Sequence, residues 1–173
     1  VTAPSAEPGA GSIAEPSGGL TAEPGAGAEA EPKVATRRVL ICDDTEQIRR
    51  LIRLNLELEG YEVVEAVDGP EALAILQDLS QPLPDVITLD VVMPRRDGWW
   101  TVATIRADPR LAHIPIIMVT ASTQNSDRAQ AQQAAVDEFV AKPFDPEDLL
   151  TRIDALITGS RAAAGLGLTR PRR

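Results

Sequence analysis

Between residues 36 and 158, short apolar runs alternate with stretches whose apolar residues recur at helical spacing. Val39 to Cys42 is a continuous apolar run, and Ile48, Leu51, Ile52 and Asn55, with Leu54 and Leu58, come next at helical spacing until Gly60. Tyr61 to Val64 predicts a second strand. Gly69-Pro70 then opens a helix carrying Ala72, Leu73, Leu76 and Leu79 on one face, since Pro is tolerated in a first helical turn. Val86 to Leu89 predicts a third strand, Trp99 to Ile105 a short third helix, and Ile114 to Val119 a fourth strand. A Gln-rich helix near 124–135 and a short strand at Glu138 to Ala141 come next. Asp145-Pro146-Glu147-Asp148 caps a last helix with Leu149, Leu150, Ile153, Leu156 and Ile157 inward.

Strict alternation of five strands and five helices predicts an α/β domain with a doubly wound parallel sheet covered on both faces. The first, third and fourth strands read as unbroken apolar runs, as strands buried on both sides should. Outside this core the texture changes. Residues 1–35 repeat Ala-Glu-Pro every eight residues with Gly, Ala and Ser between, and are expected to form a disordered tail. The Gly- and Arg-containing segment 159–173 is expected to be a flexible basic C-terminal tail.

Composition narrows the function classes. Hydrophobic residues make up 43% and charged residues 25%, ordinary for a soluble globular chain, and no apolar run approaches a membrane span of ~20 residues. The one cysteine, Cys42, excludes a disulfide framework and suits a reducing compartment, so a cytoplasmic location is expected. The five Glu and one Lys of 1–35 offset the four Arg of 159–173, so the domain 36–158 carries the whole net charge of -9. An acidic domain repels phosphate backbones, which argues against direct nucleic-acid binding by it.

The chemistry is concentrated at the strand ends. The first strand runs into Asp43 and Asp44, the third into Asp90, the fourth into Thr120 and the fifth into Lys142. Ligands of open parallel α/β sheets bind outside the carboxyl ends of the strands, where the strand order reverses. Three carboxylates gathered there repel one another, and a hard divalent cation relieves the repulsion; all-oxygen ligands suit Mg²⁺ or Mn²⁺. One carboxylate can then attack phosphorus while Lys142 and Thr120 bind the oxygens that carry charge in phosphoryl transfer. Singly, each residue has a bland reading: Asp43 or Asp44 as a helix N-cap, Asp90 as a turn residue, Thr120 as a strand end, Lys142 as a surface lysine. Their joint placement favours the phosphoryl site.

The stretches VLICDD (39–44), DVITLDVVMPRRDGW (85–99), IPIIMVTA (114–121) and FVAKPF (139–144) resemble the receiver domains of two-component response regulators, over about residues 37–158. The resemblance implies a flavodoxin-like sheet of order 2-1-3-4-5. It makes Asp90 the phospho-acceptor, and makes Asp43, Asp44 and Asp90 with the Val92 backbone carbonyl the ligands of Mg²⁺ (or Mn²⁺). Thr120 and Lys142 contact the phosphoryl group, Thr120 and Phe139 form the switch, and Lys142-Pro143 is a cis peptide. Ala135 stands where the family often has glycine, which implies a slightly strained turn.

The donor would be a sensor histidine kinase or phosphotransfer protein. Phosphorylation would change the surface of the fourth helix, fifth strand and fifth helix, which then binds a protein partner, a second copy in a homodimer being one candidate. The domain would catalyse only its own phosphorylation and slow hydrolysis. His113, in a loop, does not suit a relay histidine, and Trp99-Trp100 suits packing better than cofactor stacking. An aspartate-nucleophile phosphohydrolase of the haloacid-dehalogenase type would need an Asp where Val92 stands. A nucleotide or flavin module would need a Gly-rich loop or Walker lysine that is missing. A scaffold that is never phosphorylated finds no support, because the five residues at the strand ends are all present.

Overall fold

A computed structural model describes residues 36–121 and 135–165. The chain divides into two units, Val1–Lys33 and Val34–Arg173, and the described residues all belong to the second. Their order is β1 (Arg38–Cys42), α1 (Glu46–Leu58), β2 (Glu62–Ala66), α2 (Gly69–Gln77), β3 (Val86–Asp90), α3 (Gly98–Ala107), β4 (Ile116–Thr120), β5 (Glu138–Ala141) and α4 (Pro146–Gly165). Here α4 is the fifth of the predicted helices. The Gln-rich helix predicted near 124–135 lies outside the described residues but for Ala135, as do the tail 1–35 and residues 166–173.

The strands form one parallel sheet in the order β2-β1-β3-β4-β5. β1, β3 and β4 are buried along their whole length, which explains their unbroken apolar sequences. Period-two alternation divides their side chains between two cores. Leu40, Cys42, Ile87, Leu89, Ile116 and Met118 meet Ala72, Leu73 and Leu76 of α2 and Val102 and Ile105 of α3. Val39, Ile41, Val86, Ile117 and Val119 meet Ile52 and Leu56 of α1 and Leu149, Ile153 and Ile157 of α4. The doubly wound sheet of the resemblance is therefore observed.

Helix starts obey local chemistry. Asp68 caps α2 through Glu71 N–H at 2.9 Å, and Asp97 caps α3 through Trp100 N–H at 2.8 Å. Asp145 accepts from Glu147 N–H at 2.9 Å at the head of α4, as the sequence predicts.

Three helical details differ from expectation. In α1 the core is reached through Ile52 and Leu56, whereas Leu51, Leu54 and Leu58 are exposed. Six apolar residues in thirteen fit more than one helical phase, and the sheet accepts only one. α2 stops at Gln77, because Asp78 turns its carboxylate to Ser80, and Leu79 is left outside the helix and exposed. α4 continues past 158 to Gly165, running through Gly159, so the first part of the expected C-terminal tail is helical. Ala135 has φ +55, the left-handed turn that the glycine preference implied.

Candidate functional site

The site is built at the carboxyl edge, from the two central strands β1 and β3 outward. β1 ends at Cys42, and the chain turns through Asp43 and Asp44 into α1. Asp43 is buried and its Oδ1 accepts Thr45 N–H at 2.9 Å, while Asp44 is exposed. The N-cap of α1 is Thr45, so neither aspartate is spent as the cap. Asp90 closes β3 at 6% exposure, with Oδ1 accepting Val92 N–H at 3.3 Å. One carboxylate oxygen from each of Asp43, Asp44 and Asp90 falls within a 4.8 Å cluster.

Lys142, just after β5, reaches across β4 to this trio. Its Nζ donates to Asp43 Oδ2 and to Asp90 Oδ2, at 2.7 Å each. Its backbone N–H donates to the Thr120 carbonyl at 2.6 Å, and the Lys142–Pro143 peptide is cis. Thr120 is fully buried at the end of β4. Phe139 is half-buried, packs against the first core and sits beside Met118 in the sheet register. Val92 is 68% exposed in the loop after β3. Asp43, Asp44, Asp90 and Lys142 are thus brought together directly, while Thr120 joins them through its backbone. Phe139 and Val92 flank them.

The electrostatics derive from burial. Burial pushes the Asp90 carboxyl above its ordinary pKa, against the hydrogen bond and charge of Lys142, and the Asp43 charge pushes the same way. Burial draws the Lys142 ammonium down, but its hydrogen bonds to Asp43 and Asp90 outweigh that and hold it above its ordinary value. Two buried carboxylates share one cation, with an exposed third beside them. That donor set is all oxygen, small and net negative, which fits a hard divalent ion such as Mg²⁺ held by Asp43, Asp44 and Asp90.

Several residues that shape the site were given no role from the sequence, although Met93, Arg95 and Gly98 lie inside the 85–99 stretch. Gly98, the first residue of α3, lies so close under Asp90 that an added Cβ would stand 2.2 Å from the Asp90 carbonyl oxygen. Met93 tucks its sulfur 3.5 Å from Cys42 Sγ beneath the loop. Arg95, at φ +67, forms an ion pair with the fully buried Asp68 and so ties the β3–α3 loop to the start of α2. The Asp-Gly pairs at 68–69 and 97–98, each an N-cap followed by the first residue of a helix, were the available hint. Trp99 and Trp100 are both half-buried against the first core, with the Arg96 guanidinium 5.0 Å from the Trp100 ring centre, and His113 is exposed.

An open parallel sheet with buried acids and a lysine gathered at its carboxyl edge defines a flavodoxin-like domain built around charge at one rim. Residues 39–154 match the response regulator receiver domain family, and the chain belongs to it. It is 41% identical over 120 residues to the DNA-binding dual master transcriptional regulator RpaA of Synechocystis, covering 69% of this chain and 48% of that protein. It is 40% identical over 119 residues to the response regulator PleD of Caulobacter vibrioides, covering 69% of this chain and 26% of PleD. The chain therefore spans half or less of these relatives. Among solved structures, the Vibrio cholerae chemotaxis protein CheY4 superposes with a TM-score of 0.66 at 34% identity, over 70% of this chain and 99% of that one. The phosphorylated cyanobacterial phytochrome response regulator RcpA gives 0.62 at 27% identity, over 70% and 91%. This is a receiver domain of two-component signalling, a family switched by phosphorylation and binding magnesium at an acidic pocket. Among the described residues no helix is long and apolar enough to cross a membrane.

Proposed function

We propose that this chain is a phospho-accepting switch in which Asp90 takes a phosphoryl group from the phosphohistidine of a sensor kinase or phosphotransfer protein. The observation that carries the reading is the Lys142 ammonium bridging Asp43 and Asp90 at 2.7 Å inside the acidic trio. Asp43, Asp44, Asp90 and the Val92 backbone carbonyl would hold Mg²⁺ (or Mn²⁺), which when bound neutralises charge on the phosphoryl oxygens. An Asp90 carboxylate oxygen forms the bond to phosphorus as the P–N bond to the donor imidazole breaks, and the imidazole takes up a proton as it leaves. Lys142 then exchanges its contact with the Asp90 carboxylate for one with a phosphoryl oxygen. The Thr120 hydroxyl moves toward the same group and Phe139 turns inward into the space released. The surface around residues 124–135, β5 and α4 changes as a result and meets a protein partner.

The acyl phosphate is lost by slow hydrolysis in the same site, and the domain turns over no separate substrate. The exposed Val92 stands where a phosphohydrolase would carry its acid, which weighs against the enzymatic reading. DNA binding in the regulators that resemble this chain is not assigned to this acidic domain. The single buried thiol of Cys42 fits a cytoplasmic setting.

The test is intact mass after incubation with Mg²⁺ and acetyl phosphate, beside Asp90→Asn. One added phosphoryl group in the parent, lost in the variant and without Mg²⁺, supports the switch. No adduct under any condition, together with no response to a berylliofluoride mimic, would overturn it.

A further inference from the structure

Seven large apolar side chains are exposed among the described residues, and three of them, Leu51, Leu54 and Leu58, share α1. Their spacings of three and four residues line them up on one face of the 13-residue helix, at 40%, 46% and 85% exposure. The opposite face of α1 is already used, since Ile52 and Leu56 are buried in the second core. The stripe is therefore additional to what folding requires, and a continuous apolar face of this kind marks a contact surface.

Its charged border identifies the occupant. At about 100° per residue, Arg50 and Glu57 fall on the same flank of the stripe, two turns apart. Arg50 is exposed and makes no ion pair among the described residues. Glu57 has only a long contact with Arg53, at 3.7 Å, and Arg53 is also held by Glu65 at 2.7 Å. Consider a two-fold axis crossing the helix beside Leu54. It sets Leu54 against its own copy, Leu51 against Leu58, and the unpaired Arg50 against Glu57, each twice. In an antiparallel pair each flank faces itself, so the border is complementary to itself.

We propose that the α1 face of Leu51, Leu54 and Leu58, bordered by Arg50 and Glu57, pairs antiparallel with the same face of a second copy of this chain. The contact is isologous and closed. One helix pair covers less than the ~1,600 Å² of a standard interface, so the dimer is weak, with Kd on the order of 0.1 mM. The pairing does not depend on the phosphoryl-acceptor reading, because none of its residues belongs to that site.

Sedimentation equilibrium of the full chain from low micromolar to near-millimolar concentration tests it, with circular dichroism to verify folding. The parent is expected to dimerise and Leu54→Arg to remain monomeric. Arg50→Glu and Glu57→Arg, each of which sets like charges face to face, should each weaken the dimer by roughly tenfold. The double swap should bring it back to within about threefold of the parent. A parent that stays monomeric throughout overturns the proposal. So does a dimer that survives Leu54→Arg, which would place the interface elsewhere, or a double swap that fails to rescue. If the parent is monomeric and Leu54→Arg slows phosphoryl transfer from a phosphotransfer protein, the stripe serves that partner instead.

Discussion

Replacing Gly98 by alanine adds one methyl group where the loop carrying Asp90 leaves no room. The new Cβ would lie 2.2 Å from the Asp90 carbonyl oxygen and 3.0 Å from both Asp90 C and Val91 Cα, against ordinary contacts of 3.4–4 Å. All three atoms are backbone, so no side chain can swing aside. Moving the helix instead would strain the Gly98 N–H···O bond to Val91, now 2.9 Å. Overpacking of this sort costs about 1–3 kcal/mol, and a clash with backbone belongs at the upper end. Alanine regains about 0.5–1 kcal/mol of helix propensity over glycine, so a net loss of about 1–2.5 kcal/mol is expected.

Gly159 supplies the control. It also lies in a helix, but a Cβ there meets nothing within 4 Å, so Gly159→Ala should stabilise by about 0.5–1 kcal/mol. Urea unfolding followed by circular dichroism measures both. Displacement of the Asp90 backbone should also slow phosphoryl uptake from acetyl phosphate by roughly 10- to 100-fold. A Gly98→Ala variant that loses less than about 0.5 kcal/mol, well below the overpacking range, with β3 and α3 unshifted in its crystal structure, would refute the reasoning.

Asp68→Ala removes the α2 cap, and the Arg95 it leaves behind is mostly exposed to water, so a loss of about 1–2 kcal/mol in urea unfolding is expected; Asp68→Asn, which keeps the cap, should lose less. Ala135→Gly relieves a left-handed backbone and should stabilise by up to about 1 kcal/mol in the same assay. The Cys42 thiol, raised to about 12 chiefly by burial, should resist a thiol reagent at pH 8 and react at once in denaturant. Because the unfolded thiol ionises from its ordinary 9 and the folded one does not, this contribution to stability is fully present below pH 9 and is lost as pH rises toward 12. The Asp90 carboxyl is also raised, so its ionisation costs the folded state stability as pH climbs through the folded value. In metal-free buffer Asp90→Asn should therefore unfold at higher temperature than the parent at neutral pH, and the gap should close below the ordinary carboxylate range. An equal melting difference at all pH values would contradict that sign.

The central strands were legible because β1, β3 and β4 are buried on both faces, leaving apolar runs with no competing pattern. The grouping of the candidate site residues was legible for a related reason: polar residues directly after such runs have only the rim of the sheet to occupy. The phase of α1 was not, since a helix with leucines on two faces does not say which one the sheet covers. Nor was the Asp68–Arg95 pair, which joins residues from two loops through a backbone conformation that arginine's sequence neighbours do not announce. The reach of Lys142 to both Asp43 and Asp90 also depends on three dimensions, because the fifth strand lies three places from the first.

The two outermost strands of the sheet hold their glutamates in arginine clasps. On β2, Glu62 is met by Arg38 and Glu65 by Arg49 and Arg53; on β5, Glu138 is met by Arg152. A bare strand margin invites another chain to zip onto it, and charged, occupied side chains make that margin inhospitable. Among the described residues, both outermost strands therefore carry paired charges that disfavour edge-to-edge growth of the sheet into fibres.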